Sequence, residues 1–164
     1  METALNSPRS SAQQRFVIDD ASKVGEARRA AQAAATFAFS VEVAAKAAIA
    51  ATELANNLLR HARGGELLLQ VHGTEERAVL ELLALDKGPG MEDVERCMRD
   101  GFSTAGTPGT GLGAVRRLAD EFDIHSATGE GTAVLARFGD PGPVRYGAVS
   151  IPVEGEVDCG VAWH

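Results

Sequence analysis

Hydrophobic periodicity predicts two long helices in the first part of the chain. Asp20 with Ala21-Ser22 opens a first helix of about four turns, and the alanine-rich run over 30–39 is typical of a tightly packed helix. Across residues 40–62, apolar residues recur every three or four positions, which is the spacing of one buried helix face. Asp20 or Ser22 is suited to cap the first helix, and Ser40 has the corresponding place before the second. The buried stripe predicted for the second helix consists of Val43, Ala47, Ala51, Leu54 and Leu58.

Strand patterns dominate the rest of the chain. The second helix is predicted to end at the glycine stop of residues 63–65. The strand at 77–85 is nearly all apolar and is therefore expected at the centre of a sheet. Shorter helical patterns cover Met91–Arg99 and Ala114–Phe122. The predicted strands are Gln14–Asp19, Glu66–Val71, Arg77–Leu85, Glu121–Ser126 and Gly131–Phe138.

Composition narrows the class of protein. The chain has 164 residues, of which 45% are hydrophobic and 24% are charged, as in a globular domain. A formal net charge of −7 argues against a nucleic-acid partner, so a bound polyanion must be held by a helix start, a metal ion or a few arginines. No apolar run is long enough for a membrane helix. Cys97 and Cys159 show neither disulfide-framework nor metal spacing, and we therefore expect a cytoplasmic protein without a membrane partner.

Changes in composition place the domain boundaries near residues 14 and 140. Residues 1–13 are polar and are expected to be flexible. The folded domain is predicted to span 14–139. The run Asp140-Pro141-Gly142-Pro143 is typical of a linker, and the chain from there to residue 164 shows no helical pattern.

Glu53 and Asn57 are the first candidate site residues. They are four positions apart, so both side chains lie on one face of the second helix and can reach a shared ligand. Asparagine is a mediocre helix former, which makes the Asn56-Asn57 pair unusual in the middle of a helical pattern. The alternative is that Glu53 and Asn57 belong to an ordinary solvated surface.

Glycine clusters supply two further candidate motifs. Residues 86–90 (Asp-Lys-Gly-Pro-Gly) directly follow a strand, and glycines at a strand end let the backbone approach a flat ring closely. Residues 109–113 (Gly-Thr-Gly-Leu-Gly) open a helix, whose free amides favour anions. Taken alone, the second cluster is also compatible with an ordinary loop. A dinucleotide fingerprint must directly follow a strand, and no strand precedes this cluster. The cluster also lacks the Lys-Ser or Lys-Thr of a Walker loop. Together with Glu53 and Asn57, the three motifs in this order indicate a nucleotide site.

This order of motifs resembles the GHKL ATPase superfamily, which has the Bergerat fold. Residues 50–62 are similar to the asparagine box of its small anti-sigma and switch-kinase branch, and residues 100–104 and 111–124 are similar to the RsbT-like serine kinases. The resemblance covers about residues 14–138. It implies an α+β fold: a two-layer α/β sandwich with a mixed, mostly antiparallel sheet and helices on one face.

The resemblance also implies a role for each candidate residue. Asn57 would ligate Mg²⁺, Glu53 would orient or deprotonate the attacking hydroxyl as the catalytic residue, and Asp86 would accept the adenine amino group of ATP. The other residues expected to bind the nucleotide shape the pocket floor, form the phosphate end of a lid or support the adenine contact. They are Gly88, Gly90, Gly109, Thr110, Gly111, Leu112, Gly113 and Thr132.

The implied function is that of an Mg-ATP-dependent serine/threonine protein kinase that phosphorylates a STAS-domain antagonist in bacterial partner-switching signalling. Two alternatives stay open. One is an anti-sigma factor module that uses ATP to hold a sigma factor, and the other is a nucleotide-binding regulatory domain of a larger phosphatase. The sequence leaves the oligomeric state open, with a homodimer among the alternatives.

The last part of the chain has a resemblance of its own. Residues 147–152 and 155–163 are similar to the opening strands of a metal-dependent PPM-type serine phosphatase. Val161 stands where that family commonly has a metal-binding aspartate, so this piece is expected to be inactive. The alternative is an unstructured or edge-pairing tail.

Overall fold

The computed structural model describes residues 9–74, 77–98 and 111–139. Helices and strands both occur in these ranges, and their order along the chain is that of an α+β domain. In chain order they are β1 (Arg9–Ser10), β2 (Gln14–Ile18), α1 (Ala21–Ala38), α2 (Val41–His61), β3 (Gly65–Gly73), β4 (Ala78–Asp86), α3 (Val94–Cys97), α4 (Gly111–Leu118), β5 (Glu121–Ala127) and β6 (Gly131–Phe138).

The described strands form one sheet with β4 at its centre. The strand order is β1-β3-β4-β6-β5, and β2 also pairs with β3. Leu83 of β4 lies between its register partners Leu68 of β3 and Leu135 of β6, and residues 79–84 are all buried, as predicted for a central strand. The α+β architecture is confirmed. The sheet was expected to be mixed and mostly antiparallel. Every pair of neighbouring strands among the described residues is antiparallel.

Two alanine-rich helices, α1 and α2, pack against each other and cover one face of the sheet. Short side chains at their contact let the helix axes approach closely, and each leucine buried beneath them contributes about 1.5–3 kcal/mol. None of the described helices is both long and apolar enough to cross a membrane. The predicted stripe of α2 packs in the core, with its first member at the edge: Val43, Ala47, Ala51, Leu54 and Leu58.

The ends of the two long helices follow the predicted caps. Asp20 Oδ1 accepts the Ser22 N–H at 2.7 Å, and the hydrogen bonds from Ser22 hold the pKa of the Asp20 carboxyl below its ordinary value. Ser40 Oγ accepts the Val43 N–H at 3.3 Å. After α2, Gly64 has a φ of 121° and donates its N–H to a carbonyl of the last helical turn.

The short helix expected at Met91–Arg99 is only one turn long among the described residues. The Asp93 side chain accepts the Arg96 N–H at 2.9 Å and so fixes the start of α3 at Val94. Met91 lies outside this helix, and its N–H donates to Ser126 Oγ at 2.9 Å.

The last helix starts and ends earlier than the pattern Ala114–Phe122 indicates. α4 begins at Gly111 and ends at Leu118, and Phe122 lies in β5 instead. The Asp120 N–H donates to the Arg137 carbonyl at 2.9 Å, so the backbone already belongs to the sheet edge at that point. The helical spacing of apolar residues continues by chance into the first residues of β5, so the pattern overestimates where the helix ends.

Strand pairing begins upstream of the boundary expected at residue 14. Arg9–Ser10 pair with β3, and Ser11 donates its N–H to the Val71 carbonyl at 2.8 Å. These backbone bonds tie part of the polar N-terminal segment, expected to be flexible, to the sheet. Residues 140–164, with the predicted linker and phosphatase-like piece, lie outside the described residues.

The sheet face opposite the helices carries a row of ion pairs. Glu81 of β4 is only 8% exposed, and it accepts a hydrogen bond from Arg137 Nε of β6 at 2.7 Å. Arg137 Nη1 donates to Glu121 Oε2 of β5 at 3.0 Å. Burial alone would lower the pKa of the Arg137 guanidinium, but these two carboxylates raise it above its ordinary value. The row joins three strands on the side away from α2.

Candidate active site

Glu53 and Asn57 lie on the same side of α2 and face the first residue of α4. A Cβ atom built on Gly111 would lie 3.2 Å from Asn57 Oδ1 and 3.4 Å from Glu53 Oε2. Both α2 side chains are half-buried. The structure therefore brings together two of the residues predicted from the helix motif and one from the glycine cluster.

The Asn57 side chain has a buried donor without a partner among the described residues. Its Nδ2 atom is buried and makes no hydrogen bond to any of the described residues. A buried amide left in this state costs about 1–3 kcal/mol, and native proteins contain few such groups. An acceptor supplied by a ligand would remove this cost, so the position of Asn57 favours a binding role over an ordinary surface role.

The N-terminus of α4 is directed at this pair. The first amides of a helix have no partner within the helix, and the helix dipole favours an anion beside them. No acidic residue occupies the first turn of α4, whereas two arginines lie in its last turn. Leu112 packs its side chain against the hydrophobic core and Gly113 is buried, so a ligand would meet their backbone amides. Gly109 and Thr110, also predicted to bind the nucleotide, lie outside the described residues.

Asp86 ends β4 on the sheet face that the helices cover. Its Oδ1 accepts the Gly88 N–H at 2.7 Å, which fixes the orientation of the carboxylate and leaves the second oxygen free of partners among the described residues. Thr132 of β6 is the register partner of Asp86, so their side chains lie on the same face of the sheet. One carboxylate and one hydroxyl therefore stand side by side at the end of the core.

The glycines that follow Asp86 let this loop pack closely against the ends of α2 and β5. A Cβ on Gly88 would lie 2.8 Å from the Ala62 Cα, at the end of α2. Gly90 has a φ of 67°, and a Cβ there would overlap the Ala127 carbonyl at the end of β5. Side chains at either position would push the loop away from the sheet, so both glycines shape this end of the site.

Ser126 is a residue of this site that sequence reasoning missed. It lies on β5 as the register partner of Thr132, and their Oγ atoms are 2.9 Å apart. Ser126 Oγ also accepts the Met91 N–H at 2.9 Å and donates to the Gly131 carbonyl at 3.0 Å. The strand alternation in β5 was the signal that could have found it, because it puts Ser126 on the core-facing side.

Comparison with known proteins agrees with this geometry. Residues 17–138, well over half of the chain, match the family model described as histidine kinase-like ATPase domain. The chain belongs to this family. The resemblance to GHKL ATPases that the motifs indicate is thereby confirmed.

The chain is also similar to one curated protein by sequence and to one solved structure. The chain is 40% identical over 92 residues to the serine/threonine-protein kinase RsbT of Bacillus subtilis (strain 168), and the match covers 56% of this chain and 69% of RsbT. Among solved structures, the mycobacterial sensor histidine kinase MprB matches 60% of this chain and 73% of its own, with 20% sequence identity and a TM-score of 0.46.

For a member of this family, the residues present fit a magnesium nucleotide. Mg²⁺ prefers oxygen ligands and usually takes only one or two from the protein, with phosphates and waters as the rest. Asn57 Oδ1 can therefore serve without an acidic cluster, and the described residues contain no group of three His, Cys, Asp or Glu that could hold a metal. Asn57 Nδ2, which has no partner in the described part of the chain, and the start of α4 supply donors that suit the anionic part of such a ligand.

Proposed function

We propose that this chain is a cytoplasmic Mg-ATP-dependent serine/threonine protein kinase that phosphorylates a STAS-domain antagonist in bacterial partner switching. The observation that carries the proposal is the position of Glu53, a half-buried carboxylate one helical turn before Asn57 and beside the first residue of α4. Identity of 40% over 92 residues to a protein named as a serine/threonine kinase supports the same conclusion.

The two ends of the site have different tasks in this proposal. Asn57 would hold Mg²⁺ through its side-chain oxygen, and the first amides of α4 would bind phosphate oxygens. When bound, Mg-ATP supplies the phosphoryl group to be transferred. Asp86 and Thr132, on the neighbouring ends of β4 and β6, would accept hydrogen bonds from the adenine ring.

Glu53 is the residue proposed to act on the protein substrate. It has no hydrogen-bond or ion-pair partner among the described residues, so its carboxylate is available to a serine or threonine hydroxyl. In the transfer, the hydroxyl oxygen bonds to the γ-phosphorus while the bond from phosphorus to the β–γ bridging oxygen breaks, and Glu53 takes the hydroxyl proton. A positioned base of this kind contributes roughly 10²–10⁴-fold, and positioning and charge stabilisation supply the rest.

The protein substrate is proposed from the resemblance to RsbT-like kinases. The test is to incubate the full chain with Mg²⁺, γ-labelled ATP and purified STAS-domain proteins. We expect acid-stable label on a serine or threonine of one of them. Asn57→Ala should abolish the label, because it removes the proposed Mg²⁺ ligand. Asn56→Ala is the matched control, since Asn56 is about 100° away around the helix, and it should leave transfer intact.

A different outcome would point to the anti-sigma alternative. If no STAS-domain protein is labelled, while the chain binds a sigma factor tightly only when ATP is present, the kinase proposal is wrong. ATP would then serve to hold the partner, and a change at Glu53 would leave that binding unchanged.

A further inference from the structure

The core-facing side of the sheet ends in a polar row across three strands. Asp86 of β4, Thr132 of β6 and Ser126 of β5 are successive register partners. The row two residues further into the sheet is apolar and packs in the core or against it, and consists of Ala84, Val134 and Ile124. The polar row therefore lies where the buried interior gives way to the candidate nucleotide site.

The hydrogen bonds of Ser126 decide which hydroxyl is the donor in its contact with Thr132. A serine or threonine hydroxyl has one proton to donate and two lone pairs to accept with. Ser126 donates its proton to the Gly131 carbonyl at 3.0 Å and accepts the Met91 N–H at 2.9 Å. In the remaining contact, at 2.9 Å, the donor must then be the Thr132 hydroxyl. Thr132 is left with lone pairs alone toward the site.

We infer that Ser126 is a specificity-determining residue that acts through Thr132. By taking the Thr132 proton, Ser126 turns the Thr132 hydroxyl into an acceptor, next to the acceptor carboxylate of Asp86. These two acceptors match a 6-amino group, whose two N–H donors can serve one each, whereas a 6-oxo group offers them no donor. This inference rests on the proposed function, since it assigns the base selectivity of the same nucleotide site.

Asp86 alone does not provide this selectivity. Adenine offers its 6-amino group as a donor to a carboxylate, but a 6-oxopurine offers its N1–H, which also donates to a carboxylate. The Thr132 hydroxyl must therefore distinguish a 6-aminopurine from a 6-oxopurine. An acceptor at Thr132 is repelled by a 6-oxo oxygen, whereas a hydroxyl free to donate would bind it.

The test compares ATP with inosine triphosphate, which differs from ATP in having the 6-oxo group and N1–H. Dissociation constants of the full chain for both nucleotides, with Mg²⁺, are measured by titration calorimetry for the wild type, Ser126→Ala and Ser126→Thr. In Ser126→Ala the Thr132 proton is released and can donate to the 6-oxo oxygen, so the preference for ATP should fall about tenfold, the worth of one hydrogen bond. Ser126→Thr retains a hydroxyl and should keep the wild-type preference.

A merely structural role for Ser126 gives a different pattern. Loss of the Met91 contact would loosen the loop and lower the affinities for both nucleotides in parallel, with their ratio unchanged, and this result overturns the inference.

A second check uses the Thr132→Val variant as the starting protein, so it does not depend on the stability of one variant. In that protein, Ser126→Ala should no longer change the ratio of the two dissociation constants. If the ratio still falls, Ser126 does not act through Thr132. If the wild type binds ATP and the ratio never moves, only this inference fails. A folded wild type that binds neither nucleotide overturns the proposed function as well.

Discussion

Asn57 Oδ1 lies 3.2 Å from the point where a Cβ atom on Gly111 would be. This relationship joins the middle of α2 to the first residue of α4, two elements more than fifty positions apart in the chain. The absence of a side chain at Gly111 leaves the amide of Asn57 and the carboxylate of Glu53 open to the start of the helix. In the proposed function, a nucleotide bound at this point would contact Asn57 and the start of α4, and Glu53 would face the substrate hydroxyl beside it.

The first prediction is that Gly111→Ala impairs the site rather than the fold. The added methyl group crowds Asn57 Oδ1, at 3.2 Å, and so displaces the side chain proposed to hold Mg²⁺. We expect ATP affinity, measured by calorimetry, to fall by roughly tenfold. Gly25→Ala in α1 is the control, because its Cβ would meet only the flexible end of Arg29, at 3.3 Å. It should stabilise the protein by about 0.5–1 kcal/mol and leave ATP binding unchanged. Equal ATP affinity in both variants would contradict the geometry.

The second prediction concerns the side-chain amide of Asn57. Asn57→Leu removes a buried donor that has no partner among the described residues, so the free protein should gain about 1 kcal/mol of unfolding free energy or more. The same variant should lose Mg-dependent ATP binding. Asn56→Leu makes the same change in helix propensity one residue earlier, and urea unfolding of the two variants isolates the contribution of the buried amide. A Asn57→Leu variant that is less stable than Asn56→Leu would mean that Asn57 is already satisfied in the free protein.

The third prediction is that Asp86→Asn weakens ATP binding in a folded protein. The asparagine oxygen can still accept the Gly88 N–H, but the other carboxylate oxygen becomes an amide donor. Losing a charge-assisted hydrogen bond should cost about 1.5–3 kcal/mol of ATP affinity. Asp120→Asn is the matched control, because Asp120 Oδ2 accepts the Gly139 N–H at 2.8 Å outside the site. Unchanged calorimetric affinity of Asp86→Asn for ATP would remove Asp86 from the adenine contact.

The fourth prediction separates the far face of the sheet from the site. Arg137→Leu leaves the buried Glu81 carboxylate without its closest cation and should lower the unfolding free energy by about 3 kcal/mol. Changing Glu81 to leucine as well should recover most of this loss, because no unpaired charge remains buried. ATP affinity should stay at the wild-type value in both variants. If the single and double variants unfold at the same urea concentration, the Arg137–Glu81 pair is not the source of the loss.

The parts of the molecule that sequence reasoning identified are those governed by local spacing. Glu53 and Asn57 share a side of α2 because residues four apart on a helix always do. Asp86 was found because a nearly apolar strand ends in an acid and two glycines. The family resemblance rested on these same residues, and the family match confirms it.

Other features depend on which strand lies beside which, and local spacing does not encode that. Ser126 reaches the site because β5 pairs with β6 in a register that places it opposite Thr132. The early end of α4 likewise follows from a backbone hydrogen bond between Asp120 and Arg137 of β6. Pattern reasoning extended that helix to Phe122 because an apolar residue suits a helix face and a strand equally well.

The proposed role of Glu53 is tested by the effect of Glu53→Gln on ATP binding and on phosphate transfer, both measured in one preparation. Glutamine keeps the size of the side chain but cannot take the hydroxyl proton. We predict an ATP dissociation constant equal to that of the wild type and a transfer rate to the STAS-domain substrate lower by roughly 10²–10⁴-fold. Glu42→Gln, an exposed change on the same helix, is the control and should leave both quantities unchanged. Undiminished transfer by Glu53→Gln, or a loss of ATP affinity that accounts for the whole fall in rate, would contradict the proposed role of Glu53.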